Sequence, residues 1–374
     1  MSLKLIKINP LDPILFRDGK PFNQDNLVAT SIFPPLPSVY YGAIRAIYFS
    51  TYPKKLEKAN TPDDPTRSIK IKKVYVKTKY IERNKKNGKY KDLLLLPLPK
   101  DCVVEKSIKK SIERTGKKTG KVQRLRLKEI DFPSSNPTKY ILTPPENMKV
   151  ESLSNGYFSV DDLHKYLTSN DTFDFYTDDI FKIQEGKIGI SIDRNTGIVK
   201  EGQLYKLTFN RFINDTEIHI VFSDDGLDFP QHGLMKLGGE SKVSEYSIEE
   251  FSEEKIELNT KELKRFKVYL STPAIFKNGW LPSGIDENTL EGTIKGIKVK
   301  LLTAAIGRPI MAGGFDMKKR EPKPTYWAVP HGSVYYFECL EKCDPKEIIQ
   351  KIQEESISEI NPEQGFGIAY VGGV

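Results

Sequence analysis

Residues that could carry out chemistry are sparse in this chain of 374 residues. The four histidines, His164, His219, His232 and His331, stand in unrelated contexts without metal-ligand spacing, so a surface or structural role is expected of each. The three cysteines, Cys102, Cys339 and Cys343, are too few and too scattered for a disulfide framework or a zinc site. Cys339 and Cys343 have the spacing of a half-site, but no second Cys or His pair follows. No phosphate-cradling Walker loop, His-Glu-x-x-His pair or Gly-x-Ser-x-Gly elbow occurs, and the many carboxylates form no motif pair. No catalytic residue, metal or cofactor is therefore expected, which leaves binding as the chemistry to look for.

The stretch that stands out for binding is Leu15-Phe16-Arg17-Asp18-Gly19-Lys20-Pro21-Phe22. Opposite charges sit beside a glycine that permits positive φ and a proline that fixes the exit. Such a turn can point backbone N–H groups, the Arg17 guanidinium and the Lys20 ammonium at an anion. The competing reading is a tight turn in which Arg17 and Asp18 pair with each other. The elements that must position it flank it on both sides. Residues 3–8 alternate apolar and polar, which predicts a half-buried strand. Phe33-Pro34-Pro35-Leu36-Pro37 forms a rigid stop, and a helix is predicted over residues 38–49 with Ser38 as its cap. Val39, Ala43 and Ile47 make its narrow apolar face, and Arg45 lies off that stripe, toward a groove.

Charge is unevenly spread. The net charge of +8 combines a segment at 67–128, with 22 Lys/Arg against 5 Asp/Glu, and a remainder that sums to −9. A concentrated positive segment on an acidic body suggests contact with a polyanion, the alternative being a solvated lysine-rich insertion that aids solubility. Within it, residues 69–81 predict a strand with one basic face, and Tyr75, Tyr80 and Tyr90 interleave with lysines as stacking platforms do. Asn87-Gly88 is a hairpin turn signal, residues 93–99 are apolar enough to pack on the body, and residues 107–121 are expected to be mobile without a ligand. The whole reads as a basic hairpin standing off a globular body.

Further along, a short helix is predicted over 158–167, an alternating run over 188–192 leads into a turn, and strands at 204–212 and 217–222 are joined like a hairpin. Gly238-Gly239 reads as a turn or bulge, and the Glu-rich residues 245–262 as a domain boundary. A second alternating strand at 266–270 restarts the pattern of residue 3, with strands at 298–302 and 334–340 and a short helix at 345–354. The chain ends Gly365-Phe366-Gly367-Ile368-Ala369-Tyr370-Val371-Gly372-Gly373, glycines that admit a close backbone or phosphate, or else a C-terminal edge strand with flexible ends. No run of about 18 apolar residues occurs and no apolar leader follows the N-terminus, so neither a membrane span nor a secretory signal is expected and the chain reads as cytoplasmic.

The fold class expected is α+β. Two halves, each opening with an alternating strand and ending in a glycine-marked one, suit two ferredoxin-like (RNA-recognition-motif-like) domains packed side by side. The first would cover 1–255 with the basic insertion at about 67–128, and the second 256–374, though a second helix for the first half is not evident. The sheet aromatics follow no RNP pattern.

The turn at 15–22, with the proline run and Ser38-Val39-Tyr40-Tyr41-Gly42-Ala43-Ile44-Arg45 after it, resembles the third-subunit family of the Cmr complex. That complex is the type III-B CRISPR effector, and the family belongs to the RAMP superfamily. Gly189-Ile190-Ser191-Ile192-Asp193 followed by Gly202-Gln203-Leu204-Tyr205, and the glycine-rich C-terminal loop, extend the likeness. The resemblance implies a non-catalytic role. Such subunits bind the 5′ repeat-derived tag of the guide RNA and contact the large polymerase-like subunit and the backbone Cmr subunits. It carries RNA contact onto Arg17, Lys20, Arg45, Gly365, Gly367, Gly372 and Gly373, and onto Arg194 and Arg308. The basic insertion would correspond to the thumb-like hairpin of related subunits. RAMP endoribonucleases often use a histidine near the first helix, where residues 38–49 have none. An RNA-processing nuclease and a protein-only scaffold are the alternatives.

Overall fold

The computed structural model describes residues 2–17, 19, 28–81, 90–116, 118–131, 137–146, 148–169, 171–193, 195–252, 263–316, 318–353 and 355–374. It is a mixed α+β protein, rich in strands and poor in helix. In the first half the chain runs through β1 (Leu3–Pro10), β2 (Val28–Thr30), α1 (Pro37–Thr51), β3 (Lys70–Ile81), β4 (Tyr90–Pro97), α2 (Lys106–Thr115) and β5 (Thr119–Lys121). It continues through β6 (Gly156–Ser159), α3 (Leu163–Thr168), β7 (Asp174–Thr177), β8 (Lys182–Ile192), β9 (Val199–Phe212), β10 (Glu217–Ser223), β11 (His232–Lys236) and β12 (Val243–Phe251).

Nine of these strands form one sheet in the order β11-β12-β1-β10-β3-β4-β6-β7-β5. At its centre β12, β1, β10 and β3 are all antiparallel neighbours. β1 is not half-buried as its alternation predicts. Ile6 and Ile8 face the core under α1, with Tyr40, Ile44 and Ile47, while Leu5 faces a second core on the opposite side. A strand with neighbours on both edges and layers on both faces buries both its rows. Helix α1 opens with Pro37 as its first residue rather than on a Ser38 cap, because proline's fixed φ suits the first turn.

The second half holds β13 (Arg265–Leu270), β14 (Glu291–Ile294), β15 (Ile297–Ala305), β16 (Ile310–Ala312), β17 (Phe315–Asp316), β18 (Glu321–Pro322), β19 (Tyr326–Ala328), β20 (Val334–Cys339), α4 (Pro345–Ile348) and β21 (Ala369–Gly373). Its main sheet has the order β14-β15-β20-β13-β21. Asp344 caps α4 by accepting from Lys346 N, and the helix runs on into a π turn over Ile349–Gln353.

Each half thus contains four strands whose spatial order is fourth, first, third, second. Neither carries both helices that the βαββαβ pattern asks for among the described residues. Between β10 and β12 the first half uses a loop and the added strand β11. Between β13 and β14 the second half has no helix, and irregular chain packs Ala274, Phe276, Leu281 and Ile285 into the core instead. The halves share a core in which Leu5, Tyr75, Leu96, Phe158 and Tyr166 meet Tyr269, Leu302, Tyr336 and Tyr370.

Several local expectations change. The basic segment does not stand off the body, because β3 and β4 are inner strands of the nine-stranded sheet. Tyr75 is buried, Tyr80 packs edge-on against Tyr176, and several of the lysines meet the acidic remainder of the chain. Lys79 pairs with Asp215 at 2.8 Å, Lys109 with Glu151 at 2.9 Å and Lys121 with Asp174 at 3.1 Å. Only Tyr90 among the three tyrosines is well exposed. Residues expected to be mobile form α2, closed by Gly116 at positive φ; Asn87-Gly88 lies outside the described residues. The predicted helix at 158–167 begins later, after β6 and a short 3-10 turn. β9 and β10 do not pair, since Asn214 and Asp215 at positive φ turn the chain from one sheet into another. Residues 243–251 of the acidic stretch are the strand β12 rather than a linker, and residues 253–262 lie outside the described residues. Cys339 and Cys343 are joined as a disulfide where β20 ends, a closure their wide scatter from Cys102 did not suggest.

Candidate nucleic-acid interface

The turn after β1 is built by its neighbours. Ile14 exchanges backbone hydrogen bonds of 2.8 Å with Asn210 on β9, Gly239 N donates to Leu15 O at 2.8 Å, and Ile32 N donates to Phe16 O at 2.8 Å. Ser31 Oγ accepts from Phe16 N and from Asn210 Nδ2, both at 2.8 Å. Leu15 and Phe16 are consequently buried, and the chain surfaces at Arg17, which is exposed. Beyond it, Gly19 N donates to Met311 O at 3.3 Å.

Two glycine pairs, Gly238-Gly239 and Gly313-Gly314, meet this turn. Gly238 has φ +75° and a Cβ there would lie 2.6 Å from Leu15 O. Only a residue without a side chain lets that carbonyl approach. On the other flank a Cβ on Gly19 would lie 2.9 Å from Met311 Cγ and 3.2 Å from Gly313 N. The turn is therefore clasped between Gly238-Gly239 of the first half and Gly313-Gly314 of the second.

The second half surrounds this clasp with cations. Arg308 is exposed in the loop before β16, which pairs with β19. The adjoining β17–β18 hairpin carries Lys318, Lys319, Arg320 and, just beyond, Lys323. Lys318 is committed to the body, donating to Glu57 O and Ala59 O at 2.9 Å each, and Lys319 pairs with Glu321 at 3.5 Å. Among the described residues, Arg308, Arg320 and Lys323 make no side-chain hydrogen bond or ion pair. Phe315 and Trp327, on β17 and β19 of the same segment, are exposed. Unneutralised cations interleaved with exposed aromatic faces are what a single-stranded polyanion with bases requires.

The other residues singled out in the sequence fall elsewhere. Arg45 does not face a groove: its Nη2 lies 2.6 Å from Asp64 Oδ2 and 3.0 Å from Asn60 Oδ1, and its Nε donates to Thr66 Oγ1 at 2.7 Å. Burial works to raise the Asp64 pKa, but hydrogen bonds from Thr66 and Asn60 and the Arg45 charge lower it overall. Arg45 thus ties α1 to the loop that leads into β3. Lys20 and Arg194 lie outside the described residues. Nor do the C-terminal glycines form an open loop. Gly365, Gly367 and Gly372 are buried and Gly373 nearly so, and β21 is the edge strand of the second sheet. Gly365, at φ +93°, packs on Ile71 and Pro37, and a Cβ on Gly372 would lie 2.6 Å from Leu167 O. The close approach these glycines permit is to this chain's own backbone, because β21 runs beneath α3 where the halves join.

The hairpin that does leave the body is β8–β9. Ile188, Ile190, Ile192, Val199 and Leu204 are exposed along it, with Ile190 opposite Leu204 and Ile192 opposite Val199. Asp193 caps its turn by accepting from Asn195 N at 2.9 Å. The period-two alternation at 188–192 marked this strand, but nothing in it marked both faces as uncovered.

Among the described residues no two histidines meet here, and the one facing acid pair of the basic hairpin, Asp316 and Glu321, lies across its two-stranded ladder. His219 bonds Glu217 at 2.8 Å, and burial lowers its pKa against that partner's pull. Among the described residues, no three His, Cys, Asp or Glu side chains gather as a metal site, and no helix is long and apolar enough to cross a membrane. A buried polar cluster that the sequence did not reveal does join the halves. Asp101 accepts from Tyr166 Oη at 3.0 Å and from Tyr336 Oη at 2.6 Å, and Lys267 Nζ donates to Tyr166 O at 2.6 Å. Burial pulls the Lys267 pKa down to about 8, with Asp101 opposing.

This mixed α+β chain is a protein of the CRISPR-associated class: the sequence model of one such family, Cas_Cmr3, matches residues 6–373. The chain belongs to that family and is a Cmr subunit of the type III-B CRISPR effector. Among solved structures it is similar to a chain of the type III-B Cmr-beta complex bound to cognate target RNA and AMPPnP. That likeness has 17% identity and a TM-score of 0.46, over 89% of this chain and 86% of that one. It is similar too to a chain of Cmr-beta bound to cognate target RNA, with 17% identity, a TM-score of 0.42 and the same coverage. The apo Cmr-beta complex contains a chain at 12% identity and a TM-score of 0.30, over 67% of this chain and 98% of that one. Comparison with curated proteins finds no match.

Proposed function

We propose that this Cmr subunit is a non-catalytic, RNA-contacting protein that anchors the 5′ repeat-derived tag of the guide RNA and docks on the large polymerase-like subunit in antiviral defence. The observation that carries the reading is the surface around the clasped turn. There Arg17 emerges on the turn whose Gly19 packs against Met311 and Gly313, in the segment of the second half where Arg308, Arg320 and Lys323 make no side-chain hydrogen bond or ion pair among the described residues. The fourth-first-third-second strand order in each half supports reading both as ferredoxin-like units. The exposed isoleucines of β8–β9 favour a protein neighbour over solvent, so this hairpin is the face we assign to an adjoining Cmr subunit.

The test is binding of the full chain, alone and with its large-subunit partner, to RNAs with and without the tag over a range of salt. Tag-dependent binding of uncleaved RNA is the expected result. Charge reversal of Arg308 and Arg320 should flatten the log–log salt slope by about 0.7 for each phosphate no longer neutralised. Cleavage of repeat RNA in a single turnover would establish a nuclease instead. Association with the large subunit and no salt-dependent RNA affinity would leave a scaffold.

A further inference from the structure

The chain has two tryptophans, and both line one cleft. Trp280 lies in the irregular stretch after β13 and Trp327 on β19, and they are 47% and 60% exposed. Leu290, Ile306, Pro309 and Pro330 complete much of the wall of a cleft of about 520 Å³. That volume falls within the roughly 300–1,000 Å³ of clefts that take small organic groups. The backbone of each tryptophan is held by its frame. Trp327 pairs with Met311 across the β16–β19 ladder, and the carbonyl of Trp280 accepts from Tyr335 Oη at 2.5 Å. Arg308, unpaired among the described residues, sits between the lining residues Gly307 and Pro309. The Lys100 stem passes beneath Gly307, and its ammonium has no ion pair among the described residues.

We infer that this cleft takes one or two unstacked bases of a single-stranded RNA, with Arg308 holding an adjoining phosphate. Three observations favour a nucleobase over a peptide or a second copy of the chain. The ring faces are large and presented to solvent, while the walls are apolar. The rim charge is positive and uncompensated. And the lining residue Trp327 pairs with Met311, on which Gly19 of the Arg17 turn packs, in the ladder that carries the basic hairpin, so a strand on that face reaches the cleft. Stacking on indole is tolerant of base identity, because every base has a π face. The inference rests on the reading that this face contacts RNA, and adds the pocket in which bases, rather than phosphates, are held.

Since no other tryptophan exists, the chain's indole emission reports on the cleft alone. The experiment titrates the full-length chain with oligoadenylate, oligouridylate and an abasic ribose-phosphate oligomer of equal length. Emission and affinity are read for the wild type, Trp327→Ala and Trp327→Phe. We expect saturable quenching by both base-bearing oligomers, stronger for adenylate, and none by the abasic one. Trp327→Ala should lower affinity for base-bearing RNA about 10-fold, leave abasic binding unchanged, and be partly rescued in Trp327→Phe. Salt-dependent binding with unchanged emission, and equal affinity in Trp327→Ala, would overturn the cleft assignment while leaving the RNA-contact reading intact. A change of emission with protein concentration alone would assign the cleft to a second copy. Absence of binding by all three oligomers would remove both readings.

Discussion

Tyr336 Oη donates a 2.6 Å hydrogen bond to Oδ2 of Asp101, a fully buried carboxylate 235 residues away in sequence. Tyr166 donates to the same carboxylate at 3.0 Å, and Lys267 holds the Tyr166 carbonyl while its ammonium lies 3.9 Å from the centre of that ring. Two residues of each half thus close one polar cluster in the shared core. A buried carboxylate is tolerable only when its lone pairs are satisfied.

Tyr336→Phe deletes one oxygen and leaves that carboxylate short of a donor. It should cost about 1–3 kcal/mol of stability, read from urea unfolding. Asp101→Asn, which keeps shape but loses the charge, should also loosen Lys267. A cost within about 0.5 kcal/mol for both would mean that the cluster does not hold the halves together.

His331 supplies the clearest pH dependence. Its Nδ1 is buried without a partner among the described residues, and burial, aided by repulsion from Lys100, lowers its pKa to about 4. The unfolded chain binds the proton near the ordinary value of about 6.5. Stability is therefore complete above that value and falls as the pH drops from about 6.5 to about 4, by roughly 2–3 kcal/mol. His331→Phe should remove this part of the acid sensitivity, measured as the difference in denaturant midpoint between neutral and mildly acidic buffer. An unchanged acid slope in the variant would assign the sensitivity to other groups.

Arg45 and Arg17 should separate structure from binding. Arg45→Ala strips partners from Asp64 and Thr66 and should lower stability by about 1–3 kcal/mol, seen as a lower melting temperature. Arg17→Ala should weaken binding of tagged RNA more than scrambled RNA. Equal losses for the two RNAs would deny Arg17 a tag-specific role.

Gly238→Ala should act on both properties. The new methyl meets Leu15 O at a positive φ, so the substitution should cost about 1–3 kcal/mol and displace the turn that presents Arg17. Gly42→Ala, on the open face of α1, is the control and should be neutral or slightly stabilising, as glycine-to-alanine changes in helices are. Comparable melting temperatures for the two would show that the clasp is looser than its distances suggest.

Local chemistry determined much of this protein. Alternation marked the strands at 3–10 and 265–270, Val/Tyr/Phe content the strand at 334–339, and the proline run the start of α1, because side-chain period, β-propensity and proline's fixed φ act within a few residues. The composition of the turn at 15–22, with the motifs near it, led to the family. Where the free charge would lie was not legible. Lys79, Lys109 and Lys121 read as a polyanion surface until Asp215, Glu151 and Asp174 were folded beside them, whereas Arg308 and Arg320, outside any dense basic run of comparable length, face solvent unpaired among the described residues. The C-terminal glycines carried the inference of close approach by a backbone or a phosphate, and only the packed halves bring the Leu167 backbone onto Gly372. The Trp280–Trp327 cleft and the Asp101–Tyr336 bond join residues 47 and 235 apart. Such contacts exist only once the sheets are stacked, because burial and charge neutralisation are set by neighbours in space rather than along the chain.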